Sequence, residues 1–357
     1  MHPHTRAKHE ILNRYLQAWL PILTQSGFPQ VLYVDGFAGP GRYVGGADGS
    51  PLIALKAAVG QQQNIPPTSV VSFRFIERDE DRSEFLSNLV SEIQVPSRFD
   101  VKVSGGREFA EVFDEILTKL EQRAKFPPTF AFIDPFGWKG VPFRLIARLM
   151  QNSSCEVMIT FMYEEINRFI GLANQEANFT EFFGTDEWQP GIGISQPQAR
   201  GRFFHDLYVR QLRNAANVQF VRSFEMRNDS DVTDYFLFYG TNNNAGLKKM
   251  KEAMWKVDQS GEFSFSDATD PNQMVLFGSD TQSRVLDLLT AAFQGKQTTV
   301  GQIEDYVLRE TPYRETHYKR VLKDLEAAQP PRLEVISPPA SRRRGTFPAP
   351  EMKIRFL

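Results

Sequence analysis

The chain of 357 residues has only one cysteine, Cys155, which excludes a disulfide framework and any cysteine-rich metal or iron–sulfur site. Cys155 lies in an apolar stretch, which favours a buried structural thiol over a nucleophile. The five histidines form no zinc-binding pattern, and we predict no metal site. No apolar run approaches the roughly 20 residues that a membrane span needs, and residues 1–10 are polar, unlike a signal peptide. We therefore expect a cytoplasmic protein that does not associate with membranes.

The chain also has little net charge, −2, because 41 Lys and Arg nearly balance 43 Asp and Glu. The balance hides an asymmetry along the chain. Residues 281–357 carry 13 Lys and Arg against 9 Asp and Glu, whereas the remaining residues carry 28 against 34. A basic C-terminal segment indicates an anionic partner for that segment, and chance is the alternative explanation for an excess of this size.

Apolar runs of strand length alternate with amphipathic helical patterns through most of the chain. The predicted strands are 31–35, 70–77, 99–103, 130–134 and 155–162, followed by 218–224 and 232–239. Strands that alternate with helices form a parallel sheet with helices on both faces. Residues 1–260 are therefore predicted to form an α/β domain with a doubly wound, mostly parallel sheet of seven strands. This pattern matches the Rossmann-like sheet of class I methyltransferases.

The first predicted strand leads into a glycine-rich turn with the spacing Asp-x-x-x-Gly-x-Gly. Glycines at such a turn let backbone N–H groups approach a ligand closely. Ser50 and Pro51 then suit the N-cap and first position of a helix. An acid before the glycines favours an S-adenosylmethionine site over a dinucleotide site. The predicted cofactor is S-adenosylmethionine, and its predicted contacts in this turn are Asp35, Gly36, Phe37, Gly39 and Gly41.

Acidic residues stand at the carboxyl ends of three predicted strands, where open α/β sheets bind their ligands. Glu77 is predicted to accept hydrogen bonds from ribose hydroxyls, the alternative being a solvated acid paired with Arg78. Asp35 is predicted either to orient the glycine turn or to meet the ammonium of the cofactor through water. Gly105 follows the third strand, where an adenine-binding acid is usual, and its lack of a side chain still permits close approach.

Asp134 begins the sequence Asp-Pro-Phe-Gly-Trp after the fourth strand, which is similar to the [DNS]-P-P-[YFW] motif of amino methyltransferases except for its single proline. In that motif the acid holds the target amine and the aromatic ring stacks on an extruded base. Asp134 and Phe136 are predicted to take these roles, with Trp138 as a second stacking surface. The alternative is a structural turn in which Phe136 packs a loop.

Residues 281–357 are predicted to form a separate domain after a linker over 258–280 that is rich in Asp, Ser and Gly. Three helices and two strands around a basic loop are typical of a winged helix, whose third helix enters a DNA groove while the wing contacts phosphate. Winged helices that bind proteins are the alternative. The predicted nucleic-acid contacts are Arg314, His317, Lys319, Arg320 and Lys323 on the third helix and Arg342, Arg343 and Arg344 in the wing.

Four blocks of sequence resemble the bacterial three-Cys-motif partner family: Lys8–Leu12, Val34–Gly41, Gly49–Leu52 and Ile133–Gly137. The resemblance covers about the first 260 residues and implies a Rossmann-like methyltransferase fold. It also implies a partner, a neighbouring protein that resembles radical S-adenosylmethionine enzymes and carries the cysteines after which the family is named.

Three functions remain open at this point. The first is a methyltransferase that uses S-adenosylmethionine to modify a base nitrogen of nucleic acid. The second is a non-catalytic DNA-binding or adaptor protein that works with the radical-enzyme-like partner. The third is a metal-dependent nuclease built on Asp35, Glu77 and Asp134, which the density of glycine over residues 36–49 disfavours.

Overall fold

The computed structural model describes residues 2–258, 264–266, 278–337, 339 and 342–357, of which 278–280 are described by their backbone alone. The chain divides into two compact units. The first comprises Met1–Ala253 and Ser264–Thr269, and the second comprises Met254–Phe263 and Asp270–Leu357. Most of the predicted linker over 258–280 lies outside the described residues.

The first unit is built on one mixed sheet. Its strands are β1 (Gln30–Asp35), β2 (Val70–Glu77), β3 (Phe99–Gly105), β4 (Thr129–Ile133), β5 (Glu156–Phe161), β6 (Phe220–Arg227), β7 (Thr233–Thr241) and β8 (Ser264–Ser266). The order across the sheet is β3-β2-β1-β4-β5-β7-β6-β8. The sheet therefore has eight strands, and the prediction of seven was wrong. The free edge of β6 pairs in parallel with β8, which is too short to show a periodic pattern in the sequence.

Strands β1 to β5 are all parallel, as predicted, and β7 runs antiparallel to both β5 and β6. β1 lies between β2 and β4, so the connections that leave β1 and β4 turn to opposite sides. Such a reversal opens a crevice at the carboxyl ends of the strands. Asp35 pairs in register with Phe132 of β4, which places the residues that follow both strands at this crevice.

Helices cover both faces of the sheet. They are α1 (Pro3–Gln25), α2 (Ser50–Gly60), α3 (Glu80–Ser91), α4 (Phe109–Glu121), α5 (Phe143–Met150), α6 (Tyr163–Phe169), α7 (Glu176–Phe183), α8 (Pro197–Asn214) and α9 (Asn244–Val257). Side chains alternate between the faces of a strand. Val34 and Ile133 belong to a core shared with α4, α5, α7 and α8, whereas Phe130 contacts Tyr15 and Trp19 of α1 on the other face.

Helix α7 was not predicted from the sequence. Its three phenylalanines, Phe179, Phe182 and Phe183, have helical spacing and are buried. The polar residues that precede them obscure this pattern.

The second unit contains three helices and a small sheet. These elements are α10 (Gly278–Phe293), β9 (Gln297–Thr299), α11 (Val300–Glu310), α12 (Glu315–Ala327), β10 (Leu333–Val335) and β11 (Lys353–Phe356). The strands form an antiparallel sheet in the order β10-β11-β9. Thr299 caps α11 through a capping box with Gln302. This arrangement confirms the predicted winged helix. Within the described part of the chain, no helix is long and apolar enough to cross a membrane.

Candidate functional site

Two adjoining cavities lie at the carboxyl ends of β1, β2 and β4. Cavity 1 has a volume of about 430 Å³, and its walls include Ile76, Glu77, Phe109 and Trp138. Cavity 2 has a volume of about 290 Å³, and its walls include His9, Tyr43, Ser50 and Asp134. Phe37, Arg82 and Phe136 line both cavities. The structure thus brings Glu77 and Asp134 to neighbouring spaces at the crevice of the sheet.

The glycine turn after β1 forms part of both walls. Gly39 and Gly41 have φ angles of 61° and 77°, in the left-handed region that favours glycine. A Cβ atom on Gly41 would also come within 2.6 Å of Leu86 of α3. A hydrogen bond of 2.7 Å from the Gly49 amide to the Gly41 carbonyl closes the loop before α2. The backbone conformation therefore favours glycine at both positions, and Gly41 also packs closely against Leu86 of α3.

Glu77, the last residue of β2, lies beneath the glycine turn and is 9% exposed. Its Oε2 accepts a hydrogen bond from the Gly39 amide at 2.8 Å, and its Oε1 accepts one from the Asp79 amide at 2.9 Å. Arg78 instead contacts Glu108 at 3.5 Å, so the alternative of a Glu77–Arg78 pair was wrong. Because each carboxylate oxygen has two acceptor positions, Glu77 can hold the turn and still bind a donor in cavity 1.

Asp35 is completely buried and lines neither cavity. It accepts hydrogen bonds from the Phe37 amide at 3.3 Å and from the Ser50 side chain. Burial raises the pKa of Asp35 to about 7, and the hydrogen bonds from Ser50 and Phe37 oppose part of this shift. Asp35 is placed to orient the turn from behind, not to meet a ligand. The N-cap of α2 is Gly49 and Ser50 is the first helical residue, so the prediction of Ser50 as the N-cap was wrong. The Ser50 hydroxyl instead donates a hydrogen bond to Asp35.

Asp134 lies at cavity 2 and forms an ion pair with Lys8 of α1. Lys8 Nζ is 2.6 and 2.7 Å from the two carboxylate oxygens, and the two side chains are 8% and 20% exposed. Lys8 also lies over the ring of Tyr235, 5.1 Å from its centroid. The analysis of the sequence did not identify Lys8 as a site residue. The one signal for it was its place in the block Lys8–Leu12.

The two aromatic residues near Asp134 differ in exposure. Phe136 is 92% exposed and stands between the cavities, where a planar group can stack on it. Trp138 is 5% exposed and stacks on Phe179, with ring centroids 4.7 Å apart. Trp138 is therefore part of the wall of cavity 1, and its predicted role as a second stacking surface was wrong. Its indole Nε1 is buried and has no hydrogen-bond partner among the described residues.

Gly105 does not line either cavity, contrary to its predicted place in the site. A Cβ atom there would lie 2.0 Å from Ser83 Oγ of α3. The glycine is required by this close helix packing and not by a ligand.

His9 follows Lys8 on α1 and lines cavity 2. Like Lys8, it was not predicted from the sequence to be a site residue. The residue is 5% exposed, and its Nδ1 is buried without a hydrogen-bond partner in the described structure. Burial, reinforced by the positive charge of Lys8, lowers the pKa of His9 to about 4. The imidazole is therefore neutral at physiological pH.

The three carboxylates proposed for a nuclease are each held by different partners. Asp35 is buried behind the turn, Glu77 accepts two backbone amides, and Asp134 pairs with Lys8. Over the described ranges, no group of three or more His, Cys, Asp and Glu side chains is arranged to hold a metal ion. The geometry does not favour the nuclease.

In the winged helix, the predicted nucleic-acid contacts separate into exposed and internal side chains. Arg320, Lys323, Arg343 and Arg344 are exposed, and Arg344 also donates to the Glu326 carbonyl at 3.0 Å. Lys319 is half-buried and pairs with Glu315 on the same helix.

Arg342 is internal, contrary to its predicted role on the wing. It pairs with Glu326 at 2.6 Å, with side chains 8% and 12% exposed, and lies 5.1 Å from the ring centroid of Phe347. The His317 ring lies 4.4 Å from that of Trp255, and Arg314 lies 5.2 Å from the same ring. Arg314 and His317 thus pack against Trp255 at the start of α12. Both side chains are partly buried, whereas the sequence predicted that they face outward.

Comparison with known proteins gives a family for the C-terminal domain. Residues 264–339 match the family described as GMT-like wHTH domain. The match covers well under half of the chain, so it identifies this domain alone. No protein with a curated description matches the chain significantly.

Solved structures show a distant similarity to this chain. A Legionella pneumophila protein of family DUF519 is 13% identical over 73% of this chain and 95% of its own, with a TM-score of 0.43. An O-methyltransferase from Bacillus cereus in complex with SAH is 14% identical over 64% and 80%, with a TM-score of 0.34. A putative S-adenosylmethionine-dependent methyltransferase from Methanococcus maripaludis is 12% identical over 67% and 92%, with a TM-score of 0.29. Similarity at this level carries no argument about function.

Proposed function

We propose that this protein is an S-adenosylmethionine-dependent methyltransferase that modifies a nitrogen of a nucleic-acid base. One observation carries the proposal. A cavity with a strand-end carboxylate, Glu77, adjoins a second cavity with another strand-end carboxylate, Asp134, and Phe37 and Phe136 stand between them. A transferase needs two such sites in contact, since its reacting atoms must meet in line.

Cavity 1 suits the nucleoside part of the cofactor. Its volume of about 430 Å³ lies in the range of small-molecule sites. Glu77 would accept hydrogen bonds from the ribose hydroxyls, and Ile76, Phe109 and Trp138 offer apolar walls. When bound, S-adenosylmethionine supplies an electrophilic methyl group. The fit is incomplete at Gly105, because the structure offers no acid there for adenine.

Cavity 2 suits the acceptor. The Asp134 carboxylate would accept a hydrogen bond from the target N–H and hold the nitrogen lone pair toward cavity 1. The ion pair with Lys8 fixes the position of the Asp134 carboxylate and so orients it as a hydrogen-bond acceptor. The exposed ring of Phe136 offers a face on which a base can stack.

The winged helix would bind the same nucleic acid. Arg320 and Lys323 are exposed on α12, and Arg343 is exposed in the wing. Such cations contact phosphates and give affinity without regard to sequence. The match to a winged-helix family supports this assignment, and binding to a protein is the alternative.

The role of Glu77 is tested by its replacement with glutamine. We expect Glu77→Gln to weaken S-adenosylmethionine binding by about 1–3 kcal/mol, because an amide is a poorer acceptor than a charged carboxylate. Calorimetry on both proteins measures the change. Glu108→Gln is the matched control, because Glu108 also lines cavity 1 but pairs with Arg78, and its affinity should stay within about threefold of wild type. If folded wild-type protein binds neither S-adenosylmethionine nor S-adenosylhomocysteine at millimolar concentration, the methyltransferase proposal fails.

Salt dependence tests the winged helix in the full chain. Combined replacement of Arg320, Lys323 and Arg343 by alanine should flatten the slope of log affinity against log salt by about 2–3 units, since each neutralised phosphate contributes about 0.9. Arg342→Ala is the control: it removes an internal pair with Glu326 and should lower thermal stability while it changes the slope by less than one unit. An unchanged slope in the triple variant would exclude these cations as phosphate contacts.

A second candidate function is a binding protein without catalytic activity. It is favoured by the fact that Asp134 and Glu77 already have structural partners, Lys8 and the glycine turn. The partner implied by the resemblance, a cysteine-bearing protein similar to radical S-adenosylmethionine enzymes, belongs to this proposal. Transfer of a labelled methyl group from S-adenosylmethionine to DNA or RNA separates the two functions, because a binding protein would retain the cofactor without transfer.

A further inference from the structure

Cavity 2 contains a polar group that the proposed function has not used, the imidazole of His9. Only 5% of the residue is exposed, and the described structure offers its Nδ1 no hydrogen-bond partner. Buried polar atoms are nearly always paired, so an unpaired nitrogen on a side chain that lines a cavity needs an explanation. The ring of Tyr43 lies near that of His9, with centroids 5.8 Å apart, but Tyr43 forms no hydrogen bond with His9 Nδ1.

The position of His9 links it to the acceptor and not to the cofactor. It lines cavity 2 together with Asp134, and it is absent from the walls of cavity 1. Its neighbour on α1, Lys8, holds Asp134 through both carboxylate oxygens. One turn of α1 therefore supplies the partner of Asp134 and a second polar group beside it.

The charges around cavity 2 disfavour a cationic substrate. Asp134 is the one acidic residue among the described residues that line this cavity, and Lys8 balances its charge. Arg82 adds positive charge to the walls, whereas the charge of Arg42 is balanced by Asp48 at 3.8 Å. His9 adds none, because burial keeps its imidazole neutral. An alkylammonium group would meet net positive surroundings, whereas a neutral amine attached to an anionic polymer would meet hydrogen-bond acceptors and favourable charge.

We propose that cavity 2 binds a neutral amine, such as the exocyclic amine of a nucleobase, and that His9 is its second hydrogen-bond acceptor beside Asp134. This inference rests on the proposed methyltransferase function and narrows its substrate class. Two acceptors fix both N–H bonds of an amine and so fix the direction of its lone pair. In the reaction the amine nitrogen forms a bond to the methyl carbon as the C–S bond breaks, sulfur keeps the electron pair, and one amine proton leaves toward His9.

The test compares two replacements of His9 in the full chain. His9→Phe keeps an aromatic ring in the wall and removes both nitrogens. We expect it to lower kcat for methyl transfer to nucleic acid by about 10- to 100-fold and to leave the Kd for S-adenosylmethionine within about twofold. Its Tm should rise by about 2–4 °C, because it removes a buried unpaired nitrogen. His9→Asn restores an acceptor, and its kcat should stay within about fivefold of wild type.

His205→Phe is the matched control. His205 is bonded to Asp206 and Ser223 and lines neither cavity, so its loss should leave methyl transfer unchanged. A lysine-containing peptide, whose amine is cationic, serves as the competing substrate class.

Each outcome decides the matter. Wild-type kcat in His9→Phe overturns the role of His9 while the methyltransferase function stands. Equal loss of cofactor binding or of folding in both His9 variants shows a structural residue and also overturns it. Methylation of the peptide in place of nucleic acid overturns the neutral-amine assignment. Absence of cofactor binding or of any transfer by wild type refutes the proposed function itself, and the inference falls with it.

Discussion

Asp134→Asn is expected to lower methyl transfer by about 100-fold, because an uncharged amide oxygen is a weaker acceptor for the target amine than a carboxylate and also adds an N–H donor beside it. The cofactor affinity should stay near that of wild type, since Asp134 lines cavity 2 and not cavity 1. The structure adds an effect on stability. Lys8 is 8% exposed and would lose its counter-charge, which should cost about 1–3 kcal/mol in the free energy of unfolding.

A double variant separates these two effects. Lys8→Met combined with Asp134→Asn removes both charges and should recover much of the stability, because no unpaired charge remains buried. Methyl transfer should stay low, since the charged carboxylate acceptor is still missing. Kinetics, calorimetry and thermal unfolding on the wild-type protein and the three variants, including Lys8→Met alone, measure these effects. Normal transfer by Asp134→Asn would show that Asp134 and Phe136 do not form the acceptor site.

The buried carboxyl of Asp35 should make stability fall as pH rises from about 4 to about 7. Its pKa is about 7 in the folded protein and 3.8 in the reference state, so the folded state binds a proton in this window that the unfolded state has released. Folding is therefore favoured at the acidic end, and the loss is complete above the folded pKa. A shift of about three units corresponds to about 4 kcal/mol.

Asp35→Asn isolates this contribution, because the amide does not titrate. The difference in unfolding free energy between variant and wild type should move by up to about 4 kcal/mol in favour of the variant between pH 4 and pH 8. Other buried groups with shifted pKa values, such as His9 and Lys251, are present in both proteins and largely cancel. Denaturant unfolding at each pH gives the difference. A difference that does not change with pH would mean that Asp35 is ionised in the folded protein throughout.

Hydrophobic periodicity and turn chemistry were sufficient for most of the fold. The parallel orientation of the first five strands and the winged helix were both predicted, since each depends on local patterns several residues long. The strand Ser264–Ser266 and helix α7 were not, because three residues are too few to show a period and polar neighbours mask the phenylalanines of α7.

The sequence also determined which strand ends carry acids, since a buried strand that ends in Asp or Glu is visible in the chain itself. Asp35, Glu77 and Asp134 all lie where their strands end. Their environments were decided only by the tertiary structure. In the folded protein Asp35 is a buried carboxyl behind the turn, and Glu77 accepts a hydrogen bond from the turn. Asp134 pairs with Lys8, which lies 126 residues earlier in the chain, on α1.

The same distinction explains the remaining errors. Gly105 and Trp138 have the right residue types for a ligand site, yet Ser83 and Phe179 take the space beside them. Arg342 was predicted to contact phosphate, but in the structure it pairs with Glu326. Local sequence sets backbone preferences and the supply of chemical groups. Burial and charge partners depend on segments that are distant in the chain, and these contacts decide which groups remain free to bind a ligand.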